Sequence, residues 1–119
     1  MPAIQQQPRW NSDVVNVGIQ AVALDYDGPC PVVVRFQATI YLDRTPMKVQ
    51  YYWERSDGSK TRPKSVELSA NIAPKLNVKD EWVVGVPGKS YRATDRLHVK
   101  TDAGEVLSDT ATSPGRCRR

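Results

Sequence analysis

Val49-Gln50-Tyr51-Tyr52-Trp53-Glu54-Arg55-Ser56-Asp57-Gly58-Ser59-Lys60 alternates and then turns. Met47, Val49, Tyr51 and Trp53 share one parity; Lys48, Gln50, Tyr52 and Glu54 share the other. A period of two with aromatic and β-branched residues on one face marks a strand buried on one side. Asp57-Gly58 tolerates positive φ, so the strand is expected to end in a tight turn. Trp53 is the largest apolar side chain of the inward parity, and the core is expected to form against it.

Upstream lies the clearest strand of the chain. After Pro31, Val32, Val34, Phe36, Ala38, Ile40 and Leu42 point one way, and Val33, Arg35, Gln37, Thr39 and Tyr41 the other. Such alternation belongs to an antiparallel sheet with one wet face. Asp43-Arg44-Thr45-Pro46 is a turn expected to pair this strand with the Trp53 strand. Further upstream, the segment from Asp13 to Leu24 reads as a strand. Val15, Val17, Ile19, Ala21 and Ala23 are on its inward face, and Asn16, Gly18, Gln20 and Val22 on the other. Asp25 to Pro29 reads as a turn. Downstream, Val66 and Leu68 mark a short strand, and Asn71 to Leu76 reads as irregular around Pro74. Trp82, Val84 and Val86 alternate with Glu81, Val83 and Gly85. Tyr91, Ala93, Leu97 and Val99 give the next strand. Asp95 falls on its inward parity, which suggests a bulge or a strand end. Val106 to Thr112 is a last strand, ended by Ser113-Pro114-Gly115. About seven strands with regular turn signals and no helical pattern predict an all-β antiparallel sandwich.

The 119 residues suit one domain. Residues 1–12 read as a flexible lead-in in which Trp10 can tuck against the body. Residues 13–117 make the sandwich, and 118–119 a basic tail. No apolar run approaches the length of a membrane span. The first residues lack the pattern of a signal peptide. The net charge of +4 is local, since seven Lys and Arg face three Asp and Glu between residues 31 and 64. A basic face of this kind either keeps a domain soluble or meets an anionic polymer.

The order of strands, Trp53 in the third and Tyr91 near the start of the sixth resemble immunoglobulin-like and fibronectin-type-III-like sandwiches. The run of Cys30-Pro31, Tyr52-Trp53-Glu54-Arg55-Ser56-Asp57-Gly58, Trp82 and Cys117 resembles small Ig-like domains of exported bacterial proteins. The resemblance covers Asp13 to Cys117. It implies a scaffold and no particular binding site. The sixth strand has no Cys, so the inter-sheet disulfide of antibody-type domains has no counterpart behind Trp53.

Cys30 and Cys117 both flank turns. Joined, they tie the C-terminus to the rim of the sandwich; unjoined, they are two thiols of a cytosolic protein. Exposed free thiols are a liability, so the disulfide is the preferred reading. An extracellular or periplasmic location, with a leader removed, goes with it. Two Cys and one His match no zinc pattern, so neither metal nor cofactor is expected. Asp25 and Asp27 lack the further oxygen ligands of a calcium loop. His98 falls on a polar parity beside Arg96 and Lys100 and reads as a surface histidine whose charged form those cations disfavour. No motif presents it with a nucleophile.

One patch stands out. Tyr41 and Tyr52, with Arg35 and Lys48, are expected on the outward face of two neighbouring strands. Aromatic and basic side chains in such a strip can stack on sugars or bases; packing between the strands is the plainer reading. The sequence therefore points to a non-catalytic Ig-like interaction or structural module of an exported or cell-surface bacterial protein. A glycan- or nucleic-acid-binding sandwich using that strip is the alternative, and an enzyme is the reading with least support. The partner is another protein, an anionic polymer or a second copy of the chain.

Overall fold

Nine strands form in the computed structural model, which describes residues 11–22 and 25–119. They are β1 (Val14–Ala21), β2 (Tyr26–Pro29), β3 (Val32–Leu42), β4 (Met47–Arg55) and β5 (Lys64–Leu68), followed by β6 (Lys75–Val84), β7 (Ser90–Thr101), β8 (Gly104–Leu107) and β9 (Ala111–Arg118). Among the described residues there is no helix. One sheet has three strands in the order β1-β3-β6. The other has six, in the order β2-β9-β7-β4-β5 with β8 beside β7. The all-β sandwich expected from the alternation is present, with more strands than expected.

Alternation explains the packing. Val34, Phe36, Ala38, Ile40 and Leu42 of β3 are buried, as are Val49 and Trp53 of β4 and Ala93, Leu97 and Val99 of β7. Trp53 is 2% exposed and belongs to one cluster with Val34 and Phe36, with Val84 packed on its edge. The exposed residues of β3 are the opposite parity, including Val33, Arg35, Gln37 and Tyr41.

Several expectations need correction, each for a physical reason. Asp43 to Pro46 does not join paired strands: β3 and β4 belong to different sheets, so this turn carries the chain across the sandwich. Val15 is outside, because the register of β1 against β3 shifts between Val14 and Asn16. That irregularity turns Val14 inward, 1% exposed, and leaves Val15 62% exposed. Asp25 to Pro29 is not only a turn, since Tyr26–Pro29 pairs in parallel with Gly115–Arg118. Val86 lies beyond the end of β6 and is exposed. Asp95 makes no bulge: β7 stays in register with β9 up to Asp95 and with β4 from Asp95 onward. Ser113-Pro114-Gly115 lies inside β9, with Pro114 just before the point where β2 joins. Arg118, read as tail, ends β9 and donates to Asp27 at 3.0 Å. Asn11, read as lead-in, accepts from the N–H groups of Asp13 and Val14 and donates to Thr101 and Gly104. The readings made for Trp10 and Ala23 concern positions outside the described residues.

Cys30 and Cys117 are joined, with Cα atoms 5.3 Å apart and a separation of 87 in sequence. Cys30 sits where the chain leaves β2 in the larger sheet for β3 in the smaller. Cys117 is within β9 and 2% exposed. The bridge therefore fixes a crossing between the sheets to the last strand. It lies against Gly85, where a Cβ would come within 2.7 Å of Cys117 Sγ and 2.8 Å of Cys30 Sγ. Gly85 also has φ of +101°, so glycine is required there on both counts. Closing so long a loop contributes about 4 kcal/mol through the unfolded chain. Cys117→Ser is expected to lower the unfolding free energy by about that amount in urea titration. An unchanged midpoint would mean that the bridge constrains nothing the fold does not already hold.

Candidate functional site

The four residues of the expected strip do not come together. Arg35 and Tyr41 lie on β3, and Lys48 and Tyr52 on β4, so they belong to different sheets. Outward parity then sends the two pairs to opposite faces of the sandwich. Three groupings replace the strip.

The first is on the outer face of the six-stranded sheet. Tyr52 and His98 are cross-strand partners. Their rings stack with centroids 4.3 Å apart and planes 7° from parallel. His98 Nε2 is 2.8 Å from Glu54 Oε1, and Nδ1 is 2.8 Å from Glu105 Oε1. Arg96 donates to the same Glu54 oxygen at 3.0 Å. These hydrogen bonds, that of His98 first, hold the Glu54 carboxyl below its ordinary range. The reading of His98 as a surface histidine among cations is thus corrected: carboxylates are its nearest charged neighbours, and its side chain is only 13% exposed. The hollow beside it measures about 80 Å³. Both ring nitrogens face carboxylate oxygens.

The second grouping is inside the sandwich. Arg55 of β4 reaches across to Asp80 of β6 with two bonds, Nε to Oδ2 at 3.0 Å and Nη2 to Oδ1 at 2.7 Å. The guanidinium also lies 5.7 Å from the centre of the Trp82 ring. Asp95 of β7 is the cross-strand partner of Arg55 and fully buried. Its carboxyl group faces that of Asp80, and the protonated acid donates a hydrogen bond to the Asp80 carboxylate. Burial works against the charge of Asp80, but the hydrogen bonds and charge of Arg55 outweigh it and hold this carboxyl below the usual range. Burial pushes the Asp95 carboxyl up to about 9, and the Asp80 carboxylate beside it adds to the rise. The cluster is one cation, one carboxylate and one carboxylic acid. It links β4 and β7 of one sheet to β6 of the other.

The third grouping is a shallow hollow of about 590 Å³ on the outer face of the three-stranded sheet. Two cross-strand rows build its floor. Gly18, Thr39 and Asn77 make one, and Gln20, Gln37 and Lys79 the other. Tyr41, 43% exposed, stands at one end. Thr39 Oγ1 donates to Asn77 Oδ1 at 2.7 Å. Among the described residues, Gln20, Gln37 and Lys79 make no side-chain hydrogen bond or ion pair, and no acidic residue lines the hollow. Arg35, just beyond, is paired with Glu81 at 3.5 Å.

The alternation of β1 and β3 already put Gly18, Gln20, Gln37 and Thr39 outward. Asn77 and Lys79 were missed because Asp80 interrupts the apolar parity of Leu76, Val78 and Trp82 and hides the first half of β6. No group of His, Cys, Asp and Glu among the described residues is arranged to hold a metal ion. No family model matches the chain, and no curated protein matches it either.

The buried acid gives a test with a definite sign. The raised carboxyl of Asp95 keeps its proton in the folded state when the unfolded chain, at about 3.9, has released it. Its contribution to stability is therefore full at acid pH and falls as pH rises from about 4 towards 9. Asp95→Asn, which mimics the protonated acid, is expected to be more stable than wild type at pH 8 by more than about 1 kcal/mol. The advantage should vanish near pH 4. Urea midpoints of both proteins at several pH values check this. Equal destabilisation at every pH would show that Asp95 is charged in the fold.

Proposed function

We propose that this chain is a non-catalytic, Ig-like interaction module of an exported or cell-surface bacterial protein, and that its contact surface is the outer face of the three-stranded sheet. The observation that carries the reading is a contrast between the two outer faces. On the six-stranded sheet, Glu54, Arg96, His98 and Glu105 satisfy one another around a hollow of only about 80 Å³, although Lys48, Gln50 and Lys100 on that face make no side-chain hydrogen bond or ion pair among the described residues. On the three-stranded sheet, the carboxamides of Gln20 and Gln37 and the ammonium of Lys79 line an open hollow without side-chain partners among the described residues. Side chains left unpaired in a concave face are available to a ligand; side chains tied to each other are not.

Three further features support the scaffold reading. β1, β3 and β6 form one sheet and β4, β7 and β9 lie together in the other, an arrangement like that of Ig-like and fibronectin-type-III-like modules. Tyr91 at the start of β7 packs over the bare backbone of Gly115, so the ring anchors the last strand. The disulfide accords with an oxidising compartment, and an extracellular or periplasmic setting is the one proposed.

Retention on bacterial cell surfaces tests the reading. The labelled, oxidised domain is expected to bind saturably. Gly18→Val, which fills the hollow, is expected to abolish retention, and His98→Ala to leave it unchanged. Absence of saturable retention, or loss in His98→Ala with retention in Gly18→Val, would contradict the proposal.

A further inference from the structure

We infer that the hollow on the outer face of β1, β3 and β6 binds an acidic glycan, an oligosaccharide carrying uronic-acid carboxylates. The inference rests on the reading of this face as the contact surface, and it names the ligand class.

Gly18 is the starting point. It sits in the middle of β1, where a glycine weakens a strand and leaves no side chain to pack. Its backbone has no positive φ. The irregularity of β1 lies between Val14 and Asn16 and does not include it. A Cβ added at Gly18 would meet no atom within 4 Å. Turn geometry, bulge and close packing thus all fail to account for this glycine. What remains is the approach of something from outside to bare backbone, at the floor of the hollow.

The side chains around it select the chemistry. Gln20 and Gln37 each offer an unpaired carboxamide, which can donate to one hydroxyl and accept from another. Asn77 accepts from Thr39, which leaves its amide N–H groups to donate outward. Tyr41 offers a partly exposed ring at the end of the row, suited to the apolar face of a sugar. Among the described residues, Lys79 is the only charged residue lining the hollow. A mostly neutral, amide-rich surface with one aromatic and one cation matches a polyhydroxylated ligand with a carboxylate. A single-stranded nucleic acid would call for successive aromatic rings in a basic groove. A protein partner would call for an apolar centre. The hollow has one ring and one cation, and its floor of Gly18, Thr39, Asn77, Gln20, Gln37 and Lys79 is polar; the exposed pair Val33 and Val83 lies elsewhere on the same face.

Isothermal titration calorimetry of the full oxidised chain is the test. The probes are short oligomers of galacturonate, mannuronate and glucuronate-containing repeats, a neutral cello-oligosaccharide of equal length, and oligo-dT. At least one uronate oligomer is expected to bind about tenfold or more tightly than the neutral one. Its affinity should fall as salt is raised. Lys79→Ala should remove most of that salt dependence, and Tyr41→Ala should weaken binding about tenfold. Gly18→Val should abolish binding with an unfolding midpoint no lower than wild type, which separates occlusion from misfolding. The inference is overturned if no uronate oligomer binds. It is overturned equally if the neutral oligosaccharide binds as well, or if oligo-dT binds and is lost in the same variants. If cell-surface retention persists and remains sensitive to Gly18→Val while all uronates fail, the contact surface stands and only the ligand class falls.

Discussion

Burial of one parity of β3 against β4 and β7 is the constraint on which the rest depends. Phe36, Ile40, Leu97 and Val99 are fully buried, and with Val34, Leu42 and Trp53 they fill the space between the sheets. The period of a strand is two, so fixing these residues inward fixes Val33, Arg35, Gln37, Thr39 and Tyr41 outward. A slip of one residue would exchange the two sets. The hollow is therefore a consequence of the core: its position on the face, and the order of the side chains along it, follow from the packing on the other side. The pairings of β3 with β1 and β6 then bring Gly18 and Asn77 beside Thr39.

What could be read from the sequence is what depends on the nearest residues. Alternation identified β3, β4 and β7 and put Trp53 in the core, because side-chain direction is decided within a few positions. Pairing is decided elsewhere. Asp43-Arg44-Thr45-Pro46 has turn composition whether the chain folds back beside itself or crosses to the opposite sheet, and here it crosses. That single choice separates Arg35 and Tyr41 from Lys48 and Tyr52. β2 escaped notice because its support is Gly115–Arg118, far along the chain. The disulfide was legible from the positions of Cys30 and Cys117, whereas the need for Gly85 beneath it was not. The neighbours of His98 could not be foreseen either, since Glu54 and Glu105 reach it only through the β4–β7 and β7–β8 pairings.

The polar interior shows where local pattern yields to a contact between sheets. Arg55, Asp80 and Asp95 all occupy inward positions that apolar residues would fill at less cost. Removing either partner of the Arg55–Asp80 pair would leave a buried charge uncompensated, so the two stand or fall together. The pair ties β4 to β6 across the sandwich, and the disulfide ties β9 to the β2–β3 crossing. Together they hold the small sheet against the large one by directional and covalent links in addition to apolar contact. A rigid three-stranded sheet is what a shallow hollow needs to present its amides in fixed positions.

The central claim is that this outer face, and not the His98 face, meets the ligand. Titrating a uronate oligomer into isotopically labelled protein while following backbone amide resonances tests it most directly. Shifts are expected to cluster at Gly18, Gln20, Gln37, Thr39 and Asn77, with Tyr52, His98 and Glu105 unmoved. Shifts centred on Tyr52 and His98, with Gly18 and Asn77 silent, would contradict it.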